Sequence, residues 1–122
     1  MLNDFTDWVE RHAQGYATFI GGFSETSADS ANHVCVVMQT GGAPESMGAR
    51  RPRFRVFLLG PRNNRGASRK VYDDANALVS ASIEHLDLPC KATNVKALVE
   101  PVGPNFTKEG RAWAQIDFEL IF

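Results

Sequence analysis

The end of the chain alternates between apolar and polar side chains, and this pattern constrains the fold more than any other feature of the sequence. The apolar positions are Ala112, Ala114, Ile116, Phe118, Leu120 and Phe122, and the positions between them include Arg111, Trp113, Gln115, Asp117 and Glu119. Successive side chains of a β-strand point to opposite faces, so a period of two residues indicates a strand. We therefore predict a last strand over residues 112–122, with one face against a core and the other toward solvent.

Four further segments have the composition of strands. Residues 16–20 and 53–59 are rich in aromatic and β-branched side chains, and residues 92–100 form a further candidate. Residues 33–38 are an almost continuous apolar run, which is typical of a strand covered on both faces. Within residues 53–59 we expect Phe54, Val56 and Leu58 to share one face and the arginines to lie on the other.

Two segments show the period of an amphipathic helix. In the first dozen residues the apolar positions include Leu2, Phe5, Trp8 and Val9, and Gly15 is the expected stop. A longer helix is predicted over residues 68–86. Its expected buried stripe consists of Val71, Ala75, Leu78, Val79, Ile83 and Leu86.

These elements define the predicted fold class. We expect an α+β protein with a mostly antiparallel sheet of four to five strands, and with the N-terminal helix and the long helix packed on one face. The 122 residues suit a single domain over residues 1–122. Residues 24–32, 39–52 and 101–110 are polar or rich in Gly and Pro, so we expect them to be loops.

The charges are distributed unevenly along the chain. Residues 50–70 contain eight of the thirteen Lys and Arg residues and no acid, whereas the rest of the chain contains all fourteen Asp and Glu residues. A chain polarised in this way suits two kinds of partner for its basic segment: a nucleic acid, or the acidic side of another copy of itself.

No pattern of residues predicts catalysis or cofactor binding. The histidines are scattered, and no phosphate-binding glycine motif is present. His33 and Cys35, with His85 and Cys90 as distant recruits, lack the paired spacing of a zinc site. We expect both cysteines to be buried thiols in a protein made in a reducing compartment, and we predict no enzyme, no metal and no cofactor. We also expect no secretory signal and no membrane span.

The basic segment admits three interpretations. Arg53, Arg55 and Phe57 on one strand resemble a sheet that binds single-stranded nucleic acid. Charged side chains on an edge strand also discourage unwanted pairing. Alternatively, the guanidinium groups meet carboxylates of a neighbouring subunit. We favour the subunit contact, whose expected residues are Arg50, Arg51, Arg53, Arg55, Arg62 and Arg65. A small enzyme of ferredoxin-like shape is a further alternative, and it requires polar groups converging on a pocket.

The order of short motifs along the chain resembles that of a known family. A strand ends in Met38-Gln39-Thr40-Gly41-Gly42-Ala43-Pro44, and a second strand opens with Arg51-Pro52 and runs to Gly60. Three further features follow in the same order as in that family. They are an Ala-rich helix, the sequence Val99-Glu100-Pro101, and the sequence Glu109-Gly110-Arg111 before the alternating strand. The chain thus resembles the tail terminator and minor capsid (head–tail joining) proteins of long-tailed bacteriophages over nearly its whole length.

The resemblance implies a structural virion protein without enzymatic activity or cofactor. Such a protein forms a ring, commonly a hexamer, at the head-proximal end of the tail, where it ends tail-tube polymerisation and provides the head–tail joining interface. The implied partners are other copies of the chain, the tail tube protein and a head-completion or connector protein, while DNA passes through the lumen without specific binding. Assembly in the host cytoplasm is implied, with no contact to a membrane.

We expect the two longest loops to contact these partners, because long loops in compact domains are commonly functional. The expected contact residues are Gly41, Gly42, Pro44, Met47, Pro104, Phe106 and Lys108.

Overall fold

The computed structural model describes residues 2–21, 32–46, 49–61, 65–84, 88, 94–98, 102–106 and 110–121. Its elements follow in the order α1 (Leu2–His12), β1 (Ala17–Ile20), β2 (Val34–Ser46), β3 (Ala49–Leu59), a 3-10 turn (Arg65–Ala67), α2 (Ser68–Ile83), β4 (Asn94–Ala97), β5 (Val102–Phe106) and β6 (Ala112–Ile121). The predicted α+β class is confirmed. The expected loop over residues 24–32 lies outside the described residues, except for Asn32.

The strands form one six-stranded mixed sheet in the order β1-β2-β3-β6-β4. β5 also pairs with β6: β4 lies beside the end of β6 near Ile121, and β5 lies beside its start near Ala112. The sheet is antiparallel except that β1 runs parallel to β2, with Ala17 opposite Val34. The expectation of a mostly antiparallel sheet therefore holds for every pair but this one.

The apolar faces of β3 and β6 form the centre of the core. Ala112, Ala114, Ile116, Phe118 and Leu120 of β6 are fully buried, as are Phe54, Val56 and Leu58 of β3. Both helices cover this face of the sheet, and the ring of Phe5 in α1 stacks on Phe54 with a centroid distance of 4.5 Å. Burying a side chain of this size stabilises the fold by about 1.5–3 kcal/mol. The prediction that the helices pack on one face is confirmed.

The ends of the helices agree only in part with the sequence pattern. α1 ends before Gly15, whose φ of +90° is a conformation that glycine adopts without strain. α2 ends at Ile83, whereas the predicted helix continued to residue 86, and Leu86 lies outside the described residues. Ile83 is 69% exposed, so its assignment to the buried stripe is wrong. In the last turn of α2 the buried residues are Ala81 and Ser82, and Ile83 lies about 100° around the helix from Ser82.

Both long loops of the sequence prediction are largely strands. Residues 39–52, apart from residues 47–48, continue β2 and β3 as one antiparallel hairpin. Pro44 lies where the register is irregular, between Ala43 and Ser46. The regular ladder of backbone hydrogen bonds is interrupted there, so the absence of an N–H group on proline is tolerated. Pro52 lies one residue beyond Arg53, where pairing with β6 ends. Likewise, Val102–Phe106 forms β5 instead of a loop. The loop predictions for these residues are wrong.

Candidate subunit-contact surface

Two ion pairs cross the face of the sheet that lies opposite the helices, which we call the open face. Its charged residues are Arg53 and Arg55 on β3 and Asp117 and Glu119 on β6. In the register of these strands Arg53 stands opposite Glu119 and Arg55 stands opposite Asp117. The Nε atom of Arg53 lies 3.0 Å from Oε2 of Glu119, and that of Arg55 lies 2.9 Å from Oδ1 of Asp117.

The two pairs differ in geometry and share a pattern of exposure. Arg55 also approaches Oδ2 of Asp117 with Nη2 at 3.4 Å, so that its contact is two-pronged. The hydrogen bond to Asp117 raises the pKa of Arg55 above its ordinary value. The side chains of Arg53 and Arg55 are 50% and 37% exposed, whereas Glu119 and Asp117 are only 10% and 23% exposed. The carboxylates are therefore covered, and the guanidinium groups remain accessible to another molecule.

Apolar side chains continue the open face toward the far end of β3. The rings of Phe57 and Trp113 meet edge to face with a centroid distance of 6.4 Å. Phe57, Leu59 and Trp113 are each half-buried, and Met38 stands opposite Arg55 in the neighbouring strand β2. The open face thus combines accessible arginines with an apolar strip, a composition typical of protein contact surfaces.

The six arginines of the predicted subunit contact do not form one cluster along the backbone. Arg50, Arg51, Arg53 and Arg55 all lie on β3, but Arg65 begins the 3-10 turn that follows the opposite end of this strand. Arg62 lies outside the described residues. Arg53 and Arg55 find within their own chain the kind of carboxylate that we expected in a neighbour. A contact of these arginines with another subunit stays a prediction.

The predicted partner-contacting residues lie at two opposite ends of the sheet. Gly42 and Pro44 belong to the part of β2 beyond the last pairing of β3 with β6, and Gly41 stands opposite Arg53, where that pairing ends. Pro104 and Phe106 belong to β5, where Phe106 stands opposite Ala112 and is 42% exposed. Met47 and Lys108 lie outside the described residues. The predicted contact residues therefore fall in two separate parts of the fold, and the contacts themselves stay predictions.

The structural role of Arg111 is not evident from the sequence, whose alternation places this residue on the polar side of the last strand. Its side chain is only 1% exposed. Nη1 donates hydrogen bonds to the carbonyl oxygens of Asn32, at 3.1 Å, and of Gly60, at 2.9 Å. Arg111 thereby joins the starts of β2 and β6 to the end of β3. The Gly110-Arg111 pair before the alternating strand was the only signal of this role.

A second polar cluster that the sequence did not reveal ties the segment between α1 and β1 to α2. The Tyr16 hydroxyl donates to Oδ2 of Asp74 at 2.7 Å, and Nζ of Lys70 donates to the same oxygen at 2.7 Å. Burial, and then the hydrogen bond to Asp74, raises the pKa of Tyr16 above its ordinary value. A phenol held in its protonated form and a lysine paired with a carboxylate act here as a structural link.

His33 and Cys35, which the metal interpretation paired, lie in different environments. His33 packs edge-on against the ring of Tyr16, and burial lowers the pKa of its imidazole. Cys35 lies in the core, where burial raises the pKa of its thiol to about 12 and so disfavours the thiolate that metals and electrophiles require. His85 and Cys90 lie outside the described residues. Within the part of the chain that the structure describes, no three His, Cys, Asp or Glu side chains form a group that would hold a metal ion.

The described residues form a small α+β protein whose open face carries two cross-strand ion pairs and an apolar strip. A family model described as phage tail termination protein matches residues 1–122, the whole chain. The chain therefore belongs to the phage tail termination protein family. Its structural role in a phage tail and its place in the virion follow from this membership.

Two other comparisons add less. No curated protein matches the sequence. The fold is similar to that of a protein of known structure, with a TM-score of 0.54 and 14% identity. The similarity covers 98% of this chain and 89% of that chain. At this identity the similarity shows the fold alone. Among the described helices, none has the length and apolar character needed to cross a membrane.

Proposed function

We propose that this chain forms a closed ring at the head-proximal end of the tail, where it ends polymerisation of the tail tube and joins the tail to the head. The observation that carries the proposal is the match of the whole chain to the tail termination family. The proposed partners are further copies of the chain, the tube protein and a head-completion or connector protein, with DNA passing through the lumen without specific binding.

The geometry of the described residues supports a ring. Residues of the β2–β3 hairpin lie at one end of the sheet, and Phe106 of β5 lies at the other. A contact between two different patches is heterologous, and it produces a closed ring when the rotation between neighbours permits. The half-exposed arginines of the open face supply donors that suit polar contacts at such an interface.

The proposed function can be tested by assembling tail tubes from purified components. Tube protein of the same virion is polymerised with and without this chain, and tube length and end labelling are measured by electron microscopy. We expect the labelled chain at one end of each tube, and tubes that stop growing when it is present in excess. Tubes of unchanged length without end label would contradict the proposed function.

The nucleic-acid interpretation receives no support from the described side chains. The carboxylates of Glu119 and Asp117 already neutralise Arg53 and Arg55, which weakens their attraction to phosphates but leaves exposed N–H groups for polar contacts with a protein, and Phe57 packs against Trp113. Free phosphate-binding cations and open aromatic faces are what single-stranded nucleic acid requires.

A further inference from the structure

The long helix α2 exposes apolar side chains outside its buried stripe. Tyr72 is 40% exposed and Ile83 is 69% exposed. At 100° per residue these two positions lie within about 20° of each other around the helix, and the half-buried Val79 lies on the same side between them. We call Tyr72, Val79 and Ile83 the outer stripe. Isolated apolar residues are ordinary on a protein surface, whereas aligned ones on a helix indicate a contact with another molecule.

The C-terminal end of α2 is negatively charged. Along the rest of the helix, Arg69 pairs with Asp73 and Lys70 pairs with Asp74. Glu84 follows the last residue of the helix, is exposed and takes part in none of the ion pairs among the described residues. The last turn contains no basic residue, and its carbonyl groups carry the negative end of the helix dipole. This end of α2 therefore suits a cationic surface.

The open face has an excess of positive charge at one end and apolar side chains at the other. Lys96 of β4 is exposed and stands opposite Glu119, so that with the two arginines of β3 this end has three cations against the two carboxylates of β6. The apolar strip follows along β3 as far as Leu59. At about 3.3 Å per residue, Arg53 and Leu59 are about 20 Å apart. A partner that fits this face is anionic at one end and apolar along the rest.

The outer stripe and Glu84 fit this arrangement in order and in length. Glu84 and Tyr72 are about 18 Å apart along α2, at 1.5 Å per residue. With the helix laid along β3, Glu84 lies beside the cationic end and Tyr72 reaches the apolar strip. Helices commonly cover the apolar face of a sheet in this way. Within one molecule this contact is impossible, because α2 packs on the other face of its own sheet.

We propose that the outer stripe and Glu84 of one copy pack on the open face of a second copy of this chain. The inference rests on the proposed ring and identifies a contact that builds it. Glu84 pairs with Lys96 and with the accessible guanidinium group of Arg53, while Tyr72 and Ile83 pack on the open face. Because the two surfaces differ and lie on opposite faces of the sheet, each copy uses one surface toward each of its two neighbours, as ring closure requires.

Charge reversal tests the polar part of this contact, with assembly measured by sedimentation velocity at low salt over a range of concentrations. We expect Glu84→Lys and Lys96→Glu each to raise the dissociation constant of assembly about ten-fold, because like charges then oppose one another. Glu84→Lys places a cation at the C-terminal end of a helix, which favours the fold, so a loss of assembly in this variant does not reflect unfolding. The double variant is expected to regain assembly, because its charges are complementary again. The matched control is Glu10→Lys, the same change at an exposed acid near the end of α1, and it is expected to assemble as the original chain does.

The apolar part of the contact is tested by Ile83→Ser, which truncates the most exposed side chain of the outer stripe. We expect the dissociation constant to rise about ten-fold, because burial of this side chain no longer contributes to association. The matched control is Ile20→Ser, the same change at the exposed isoleucine that ends β1, and its assembly is expected to be unchanged. Circular dichroism checks that every variant is folded.

Normal assembly of Glu84→Lys, Lys96→Glu or Ile83→Ser would overturn the docking proposal, as would a double variant that stays dissociated. If the variants of α2 weaken assembly and Lys96→Glu does not, α2 contacts a surface other than the open face and the proposal is wrong. An original chain that is monomeric at all concentrations would contradict both this contact and the ring. Normal assembly of the original chain without capping of tubes would instead contradict only the proposed function.

Discussion

At the scale of single residues, the most informative side chain is one whose position in the sequence suggested a solvent-exposed role. Arg111 follows the alternation of the last strand and would stand on its polar side, yet it is buried against two backbone carbonyls. Those carbonyls belong to Asn32 and Gly60, which are distant from it in the sequence. No local pattern signals a contact of this kind, because it exists only once the three segments have been brought together.

We predict that Arg111→Met lowers the free energy of unfolding by about 2–4 kcal/mol, because the buried carbonyl of Gly60 and the partly buried carbonyl of Asn32 lose their donor while the aliphatic volume is retained. Chemical denaturation measures the change. Lys96→Ala, at an exposed position of β4, serves as the control and is expected to change stability by less than about 0.5 kcal/mol. Equal effects of the two substitutions would contradict the structural role of Arg111.

The buried thiol of Cys35 predicts a dependence of stability on pH. Its pKa is raised to about 12 by burial, from an ordinary value of 9.0, which is the value expected in the unfolded chain. Below pH 9 both states keep the proton. Between pH 9 and 12 only the unfolded state releases it, so increasing pH favours unfolding.

This contribution is isolated by comparing the original chain with Cys35→Ala at several pH values from about 8 to 10.5, the lower part of the window in which the thiol titrates. Deletion of buried atoms is expected to destabilise the variant at pH 8. The difference in unfolding free energy between the two proteins is expected to shrink above pH 9, since only the original chain has this thiol. Tyr16, which also titrates at alkaline pH, is present in both. A difference that stays constant with pH would show that Cys35 is not protected as described.

At the scale of elements, strand pairing overrides local signals. Glycine and proline in residues 39–52 and 101–110 predict loops, because these residues are unfavourable inside strands. The structure places the described residues of these segments largely in the β2–β3 hairpin and in β5, where register irregularities accommodate the departures from regular pairing. Pairing with β6 gives residues 102–106 a partner that no window of local sequence contains. The alternating strand β6 was predictable because its own period encodes burial.

The cross-strand pair of Arg55 and Asp117 gives a prediction at this scale. Both side chains are partly exposed, so screening by solvent limits their coupling to about 0.5 kcal/mol. Arg55→Asp alone places two carboxylates opposite each other and is expected to destabilise the fold, whereas adding Asp117→Arg is expected to restore most of the loss. Denaturation of both variants provides the measurement.

The control for this exchange is the more exposed pair of Arg69 and Asp73 on α2, whose closest atoms are 3.8 Å apart. Replacing both by alanine is expected to leave stability nearly unchanged. If the double exchange at residues 55 and 117 is no more stable than Arg55→Asp alone, the ion pair contributes nothing to the register of β3 and β6.

At the scale of the whole molecule, folding redistributes the charges that the sequence separates. Four basic residues of the segment 50–70 pair with carboxylates of their own chain, namely Arg53, Arg55, Arg69 and Lys70. The sequence polarity therefore overstates the net positive character of the folded surface. Among the described side chains, the exposed acids Asp4, Asp7 and Glu10 of α1 take part in none of these ion pairs.

The sequence by itself determined the α+β class, the two helices, the alternating core strand and, through its motif order, the family. Each of these is encoded in local periodicity or in short motifs, because burial of one face imposes a period on a helix or strand. Only the tertiary structure decided that Arg53 and Arg55 have partners in their own chain, that Arg111 is buried and that β2 and β3 continue as one hairpin. These features depend on the register between segments that are far apart in the sequence, and a single strand does not contain the information about which strand will lie beside it.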